Sequence, residues 1–221
     1  SIKMHNNLHN LQDIIKEIKS KENNHNKPVK IIAVSKTFSM EKIMPLIENG
    51  HIHFGENKVQ EAQLKWPEVL EKFKNVKLHM LGKLQTNKVK SAVRLFDYIH
   101  SLDSIKLAKK IDQEQKKINR NIKLFIQVNI DNENQKSGIA LSELEAFHSQ
   151  LVGEMKLNVI GLMCIPSINS NIDIAFEKMK KNVDKLNLAE LSMGMSSDYL
   201  KAINFGSTFV RIGSKIFGKR I

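Results

Sequence analysis

Short apolar runs at residues 31–34, 52–54, 76–81, 98–100, 124–130, 159–163, 190–193 and 209–212 alternate with longer segments of helical periodicity. Each run has the length of a strand, and continuous apolar runs suit strands that are buried on both faces. The intervening segments carry apolar stripes: Leu141, Leu144, Phe147 and Leu151 in one, Ile172, Ala175, Met179, Val183 and Leu186 in another. An amphipathic helix bearing Leu8, Leu11, Ile14, Ile15 and Ile18, ending near Lys19, precedes the first strand. Strict alternation calls for a parallel sheet with right-handed crossovers. Eight such units close into a (β/α)8 barrel of the TIM type, here with an extra N-terminal helix. The competing architecture is an open doubly wound sheet, but no Gly-x-Gly-x-x-Gly turn follows the first strand. No proline- or glycine-rich linker interrupts the pattern, so residues 1–221 are expected to form one domain.

A formal net charge of +12 raises the question of a nucleic-acid partner. The lysines are spread over the helical segments and interleaved with glutamates, as in Glu71-Lys72-Phe73-Lys74, with no aromatic stacking platform. No specific nucleic-acid partner is therefore expected. Nor does any run approach the roughly 18 apolar residues of a membrane span. The first residues lead into a polar amphipathic helix rather than an apolar secretory core, and a cytoplasmic location is expected. The single cysteine, Cys164, sits in an apolar run and reads as a small buried hydrophobe.

The first strand delivers a lysine at its carboxyl end, in Ala33-Val34-Ser35-Lys36-Thr37. In a barrel of this type the carboxyl ends of the strands face the active site. A partly desolvated lysine there has its ammonium form disfavoured, so its amine can attack an aldehyde. Toward the C-terminus, Leu191-Ser192-Met193-Gly194-Met195-Ser196-Ser197-Asp198 reads as a strand, a glycine turn and a helix start, with Ser196 as the expected N-cap. The next unit ends in Arg211-Ile212-Gly213-Ser214, where Gly213 permits close approach of the backbone and Ser214 offers a hydroxyl. These are the loops after strands seven and eight, where barrels frequently hold phosphate. A lysine and an anion cradle at one mouth describe a site for a phosphorylated aldehyde.

Those residues, together with His53-Phe54-Gly55-Glu56-Asn57-Lys58-Val59-Gln60-Glu61, His79-Met80-Leu81-Gly82-Lys83-Leu84-Gln85-Thr86-Asn87-Lys88, Gln135-Lys136-Ser137-Gly138 and Gly161-Leu162-Met163-Cys164-Ile165-Pro166, resemble the pyridoxal phosphate homeostasis protein family. The blocks fall in the family's order and span nearly the whole chain. Cys164 departs from the family, which usually has a small residue there. The resemblance implies a single barrel similar to the N-terminal domain of alanine racemase, fold type III among proteins that use this cofactor. It implies pyridoxal 5′-phosphate bound as a Schiff base on Lys36. Ser192, Met195, Ser196, Gly213 and Ser214 would hold the phosphate, Arg211 would lie at the pyridine nitrogen, and Asn57, His79 and Met163 would line the ring.

The role implied is buffering, carriage or delivery of the cofactor rather than substantial catalysis, with apoenzymes that depend on it as possible partners. Carbanion chemistry needs a protonated pyridine nitrogen and a second acid or base. Arginine cannot accept a proton and discourages the ring from carrying one. The two tyrosines, Tyr98 and Tyr199, fall within the barrel pattern, and the second domain that supplies the racemase's opposite base is not expected here. A low-activity racemase or lyase is the alternative. Lys88 and Lys136 follow strand ends and are candidates for holding the aldehyde transiently during transfer, and a monomer is the default assembly.

Overall fold

A computed structural model of the chain describes residues 2–22, 27–134 and 137–219. Helix α1 (Ile2–Glu22) leads into β1 (Lys30–Val34), α2 (Met40–Glu48), β2 (His53–Glu56), α3 (Val59–Lys65) and α4 (Pro67–Lys72). Then come β3 (Lys77–Met80), α5 (Val89–Leu95), β4 (Tyr98–Leu102), α6 (Ile105–Lys117) and β5 (Lys123–Asn129). The remainder is β6 (Ile139–Ala140), α7 (Leu141–Ser149), β7 (Val159–Met163), α8 (Ile172–Lys185), β8 (Glu190–Ser192), α9 (Tyr199–Asn204), β9 (Phe209–Ile212) and α10 (Ser214–Phe217).

Parallel pairing runs in the order β4-β3-β2-β1-β9-β8-β7-β5, and β4 pairs with β5 to close the ring. That closing pair, with Tyr98 opposite Lys123 and Ile99 opposite Leu124, rules out the open sheet and makes the molecule an eight-stranded TIM-type barrel. The two-residue strand β6 is an addition beside the end of β5 that the sequence pattern does not announce.

Strand side chains alternate between two cores, as the pleat requires. Ile32, Val34, Leu81, Tyr98, Phe125, Met163 and Phe209 fill the barrel interior. Ala33, Phe54, Leu78, Ile99 and Val210 point outward into the layer beneath the helices, where Trp66, Phe176 and Met179 meet them. Ser104 caps α6, its Oγ accepting from Leu107 N at 3.1 Å, and Asn171 caps α8 through Ile174 N at 3.3 Å. The first helix outruns its apolar stripe, continuing past Lys19 to Glu22. Basic Lys19 and Lys21 in its last turn suit the negative end of the helix dipole. The stripe ending in Leu151 belongs to two elements: α7 stops at Ser149 and a π turn over Gln150–Glu154 carries Leu151 into the core. No described helix is long and apolar enough to cross a membrane.

Candidate functional site

The carboxyl ends of the strands open into a cavity of about 850 Å³. Lys36 and Asn57 reach it from just beyond β1 and β2, Met195 and Ser196 from the loop after β8, and Arg211, Gly213 and Ser214 from β9 and its exit. Seven of the ten residues singled out from sequence therefore surround one space. Lys36 is half-buried, while Arg211, at 5% exposure, brings a guanidinium to the cavity from within the barrel. Lys83, Gln127 and Lys219 also border it and were not anticipated. Gln127 could have been found: a polar residue inside the apolar fifth strand, in phase with inward-facing Phe125, has to face something polar.

Gly194 turns the chain at the start of the β8 loop with φ +101°, and a Cβ there would lie 2.6 Å from that of Ala202, so glycine is required twice over. Ser196 does not cap the following helix. The chain makes a further turn before α9 begins, so Asp198 holds the N-cap position and its Oδ1 accepts from Met195 N at 2.7 Å. Ser196 Oγ instead accepts from Lys215 N at 3.2 Å, tying the β8 loop to α10. This serine binds the two halves of the expected anion cradle together.

The other three residues lie beneath the cavity rather than around it. His79, Met163 and Ser192 are fully buried and do not border the mouth. Sequence gives the direction in which a strand residue points but not its height in the barrel, and His79 falls one layer below Leu81, the residue just beyond β3 that reaches the cavity. There it joins a continuous polar run. Arg211 Nη1 donates to Ser192 Oγ at 2.6 Å and Nη2 to the Cys164 carbonyl at 2.8 Å. Ser192 Oγ lies 3.0 Å from His100 Nδ1, His100 Nε2 lies 2.8 Å from His79 Nδ1, and His79 Nε2 lies 2.9 Å from His53 Nδ1.

Arginine can only donate, so Ser192 spends a lone pair on it, and among the described residues the one acceptor for its hydroxyl proton is His100 Nδ1. His100 and His79 must then each carry the proton on Nε2 and pass a hydrogen bond downward to His53. Burial lowers both well below the ordinary histidine range, with Arg211 adding to the effect on His100, and burial with neighbouring His51 and Lys30 takes His53 to about 3. The run is neutral and has one polarity throughout. Tyr98 stacks on His79 at 4.0 Å and Phe125 on His100 at 4.1 Å, sealing it.

Cys164 is a buried hydrophobe, its thiol pushed up to about 12 by burial. Tyr98 belongs to the inner core, and Tyr199 hydrogen-bonds Glu17 and Lys215 outside the mouth cavity. Lys88 ends an exposed 3-10 turn and does not border the cavity, while Gln135 and Lys136 lie outside the described residues. No group of three His, Cys, Asp or Glu among the described residues is arranged to hold a metal ion.

The chain that forms this closed parallel barrel, with Lys36 after its first strand and Arg211 on its last, is matched over residues 7–220 by the model of the alanine racemase N-terminal domain family. Within that class the relatives are specific. A pyridoxal phosphate homeostasis protein of Haemophilus influenzae is 35% identical over 224 residues, covering 97% of this chain and 94% of the relative, and one of Pasteurella multocida is 34% identical over 96% and 93%. The chain belongs to the pyridoxal phosphate homeostasis protein family. Among solved structures, PipY of Synechococcus elongatus with PLP bound superposes with a TM-score of 0.79 at 36% identity, covering 86% of this chain and 92% of PipY. The PLP-free form gives 0.83 at 35%, covering 92% and 98%.

Proposed function

We propose that this chain is a single-domain carrier of pyridoxal 5′-phosphate, holding the cofactor reversibly on Lys36 at the barrel mouth for buffering or delivery in the cytoplasm. The observation that carries the reading is the meeting of Lys36, Arg211 and the Ser196–Ser214 cradle around one cavity. The donor set suits the group: an amine for the aldehyde, hydroxyls and backbone of Met195, Ser196, Gly213 and Ser214 for the phosphate, and a guanidinium for the ring nitrogen. Asn57 flanks the ring in this reading, and Ser192, His79 and Met163 support it from below. A relative 36% identical carries the same cofactor.

When bound, the cofactor supplies an aldehyde that condenses with an amine and an electron-withdrawing ring. Arg211 serves binding better than carbanion chemistry. Both its described hydrogen bonds go to neutral acceptors, Ser192 and the Cys164 carbonyl, so its charge is left to act on the cavity. A donor-only guanidinium at the ring nitrogen favours the unprotonated ring, the weaker electron sink. Tyr98 does not border the Lys36 cavity, and Tyr199 lines an adjoining cavity that shares Met195, Ser196 and Arg211 with it, its hydroxyl already engaged by Glu17 and Lys215. The recipients of a delivered cofactor are apoenzymes that depend on it.

Reconstitution with pyridoxal 5′-phosphate, borohydride reduction and peptide mapping test the assignment. A phosphopyridoxyl group on Lys36, and its complete loss in Lys36→Ala, is the expected result. Labelling that is absent, or that persists unchanged in Lys36→Ala, overturns it.

A further inference from the structure

We propose that Lys65, seated between Glu56 and Glu61, is a positioning residue: it fixes the backbone on both sides of Lys36 and thereby sets the aim and attack rate of the Lys36 amine. The inference rests on the reading of Lys36 as the attachment point and adds to it the machinery that holds Lys36 in place.

Lys36 sits on a turn gripped at each neighbouring residue. Before it, Ser35 is fully buried, its N donates to the Gly55 carbonyl at 3.0 Å and its Oγ to Glu56 Oε2 at 2.6 Å. After it, Thr37 N donates to Glu61 Oε2 at 2.6 Å. Thr37 has φ +68°, a left-handed conformation that a β-branched residue adopts only under constraint. Lys65 connects the two grips. Its Nζ donates to the Ser35 carbonyl at 2.8 Å, the Phe38 carbonyl at 2.9 Å and Glu61 Oε2 at 2.9 Å, and lies 2.9 Å from Glu56 Oε2. Trp66 Nε1 donates to the same Glu56 oxygen at 3.0 Å, anchoring the group to the outer core.

Stability alone does not account for this arrangement. Buried ion pairs roughly break even against apolar packing, and this one leaves Glu56 Oε1 buried without a hydrogen-bond partner among the described residues. What the group achieves is geometric: four oxygens surround one ammonium, and each of them belongs to the turn at 35–38 or to a carboxylate holding that turn. Without the ammonium, the two carboxylates repel and the carbonyls of Ser35 and Phe38 lose their common donor. Thr37 can then relax to negative φ, which rotates the Lys36 side chain away from its present line.

The reaction that reads this aim is condensation of the neutral Lys36 amine with the aldehyde of pyridoxal 5′-phosphate. A C=N bond forms and one water leaves, carrying the carbonyl oxygen. Borohydride then adds hydride to the carbon and fixes the label. Pyridoxine 5′-phosphate has the same ring and phosphate but no aldehyde, so its affinity reports the cradle without the amine. Lys65→Met is expected to slow trapping at Lys36 by about 10–100-fold while pyridoxine 5′-phosphate binds within about twofold of the parent, as a displacement of the order of 1 Å would do. Lys65→Arg keeps the charge and is expected to restore most of the rate, and Glu61→Gln to slow it to an intermediate degree.

Trapping at the parental rate in Lys65→Met overturns the proposal. So does a joint loss of trapping and pyridoxine 5′-phosphate affinity that arginine does not rescue, because that marks a merely structural ion pair. If Lys65→Met does not fold, Glu61→Gln decides on the same two readouts. A parent protein that never labels at Lys36 overturns the cofactor reading itself, a result distinct from parental labelling that the Lys65 and Glu61 variants leave unchanged.

Discussion

Beneath the mouth, the run from His53 to Ser192 keeps every polar group neutral, whereas behind Lys36 the Glu56–Lys65–Glu61 group holds charges in a layer that is nearly as dry. The difference follows from where each network lies. The histidines occupy the barrel interior, between Arg211 above and Lys30 and Lys123 at the amino end of the strands, where the two lysines sit over the Phe209 and Tyr98 rings. Cations at both ends and burial throughout make an imidazolium untenable there. Glu56 and Lys65 lie in the layer between strands and helices, where an acidic and a basic side chain from adjacent elements can pair. A neutral chain suits a role that transmits hydrogen-bond polarity to Arg211. A charged hub suits a role that grips several backbone oxygens at once.

The histidine run responds to pH with one sign and the charged group with two, and this gives the largest expected effect. Above the ordinary histidine value of 6.5, His79 and His100 are neutral in folded and unfolded chains alike. Below it only the unfolded chain takes up the protons, so stability falls as pH drops from 6.5 toward the lowered folded values. Each fully buried histidine contributes up to about 1.4 kcal/mol per pH unit, roughly 3 kcal/mol for the pair. Glu56 acts in reverse: burial raises it against the pull of Lys65, so its contribution favours the fold at low pH and is lost as pH rises through the raised value. Burial also acts to raise Glu61, but hydrogen bonds from Lys65 and Thr37 bring it below 4.5, and its contribution is lost only as pH falls through that lowered value. Urea midpoints measured from pH 7 to 4.5 are expected to fall steeply, and about half as steeply in the double variant His79→Gln, His100→Gln, where His51 and His53, lowered to about 4 and about 3 chiefly by burial, still take up protons on unfolding. A flat parental profile would remove the neutral-floor half of the comparison.

At constant pH the charged network is the more costly to cut. Glu56→Leu leaves Lys65 short of a carboxylate, strands the Trp66 indole N–H and leaves the Ser35 hydroxyl only the Gly55 carbonyl at 3.3 Å, for a destabilisation of about 3–5 kcal/mol in urea unfolding at pH 7. A loss under about 1 kcal/mol would mean that the pair is worth no more than a surface ion pair.

These two networks also mark where sequence reading stops. The strands were legible because short apolar runs at 31–34 or 159–163 admit few other fates, and closure followed from their number. Lys36, Arg211 and the residues near Ser196 and Gly213 were legible because strand ends and glycine turns carry chemistry in barrels. The height of His79 was not legible, since the layer a strand residue occupies depends on its stagger against neighbours, here Gly55 and Tyr98. Glu56 stood only as one letter of a family-like block, with no role attached, and Lys65 gave no signal at all. A glutamate at the end of a four-residue strand and a lysine at the end of a short helix are ordinary surface residues until α3 packs on β2 and brings Lys65 to the turn after β1. Strand β6 is too short to register, and Ser196 was read as a cap because serine before a helix usually is one.

The smallest effect is expected at the open end of the histidine run. His53 is only half-buried, and its sole hydrogen bond within the run is to His79 Nε2. If the polarity deduced from Arg211 is right, His79 donates to His53, and any acceptor of similar reach serves in its place. His53→Gln supplies such an acceptor in its side-chain carbonyl and should cost less than about 1 kcal/mol, with His79 and His100 still neutral. His53→Lys presents only donors to a nitrogen that already donates, and should cost about 1–3 kcal/mol through the unsatisfied pair. Equal losses for the two variants in urea unfolding would break the assigned direction, because a run polarised the other way needs a donor at residue 53, which the lysine ammonium and a flipped glutamine amide both supply.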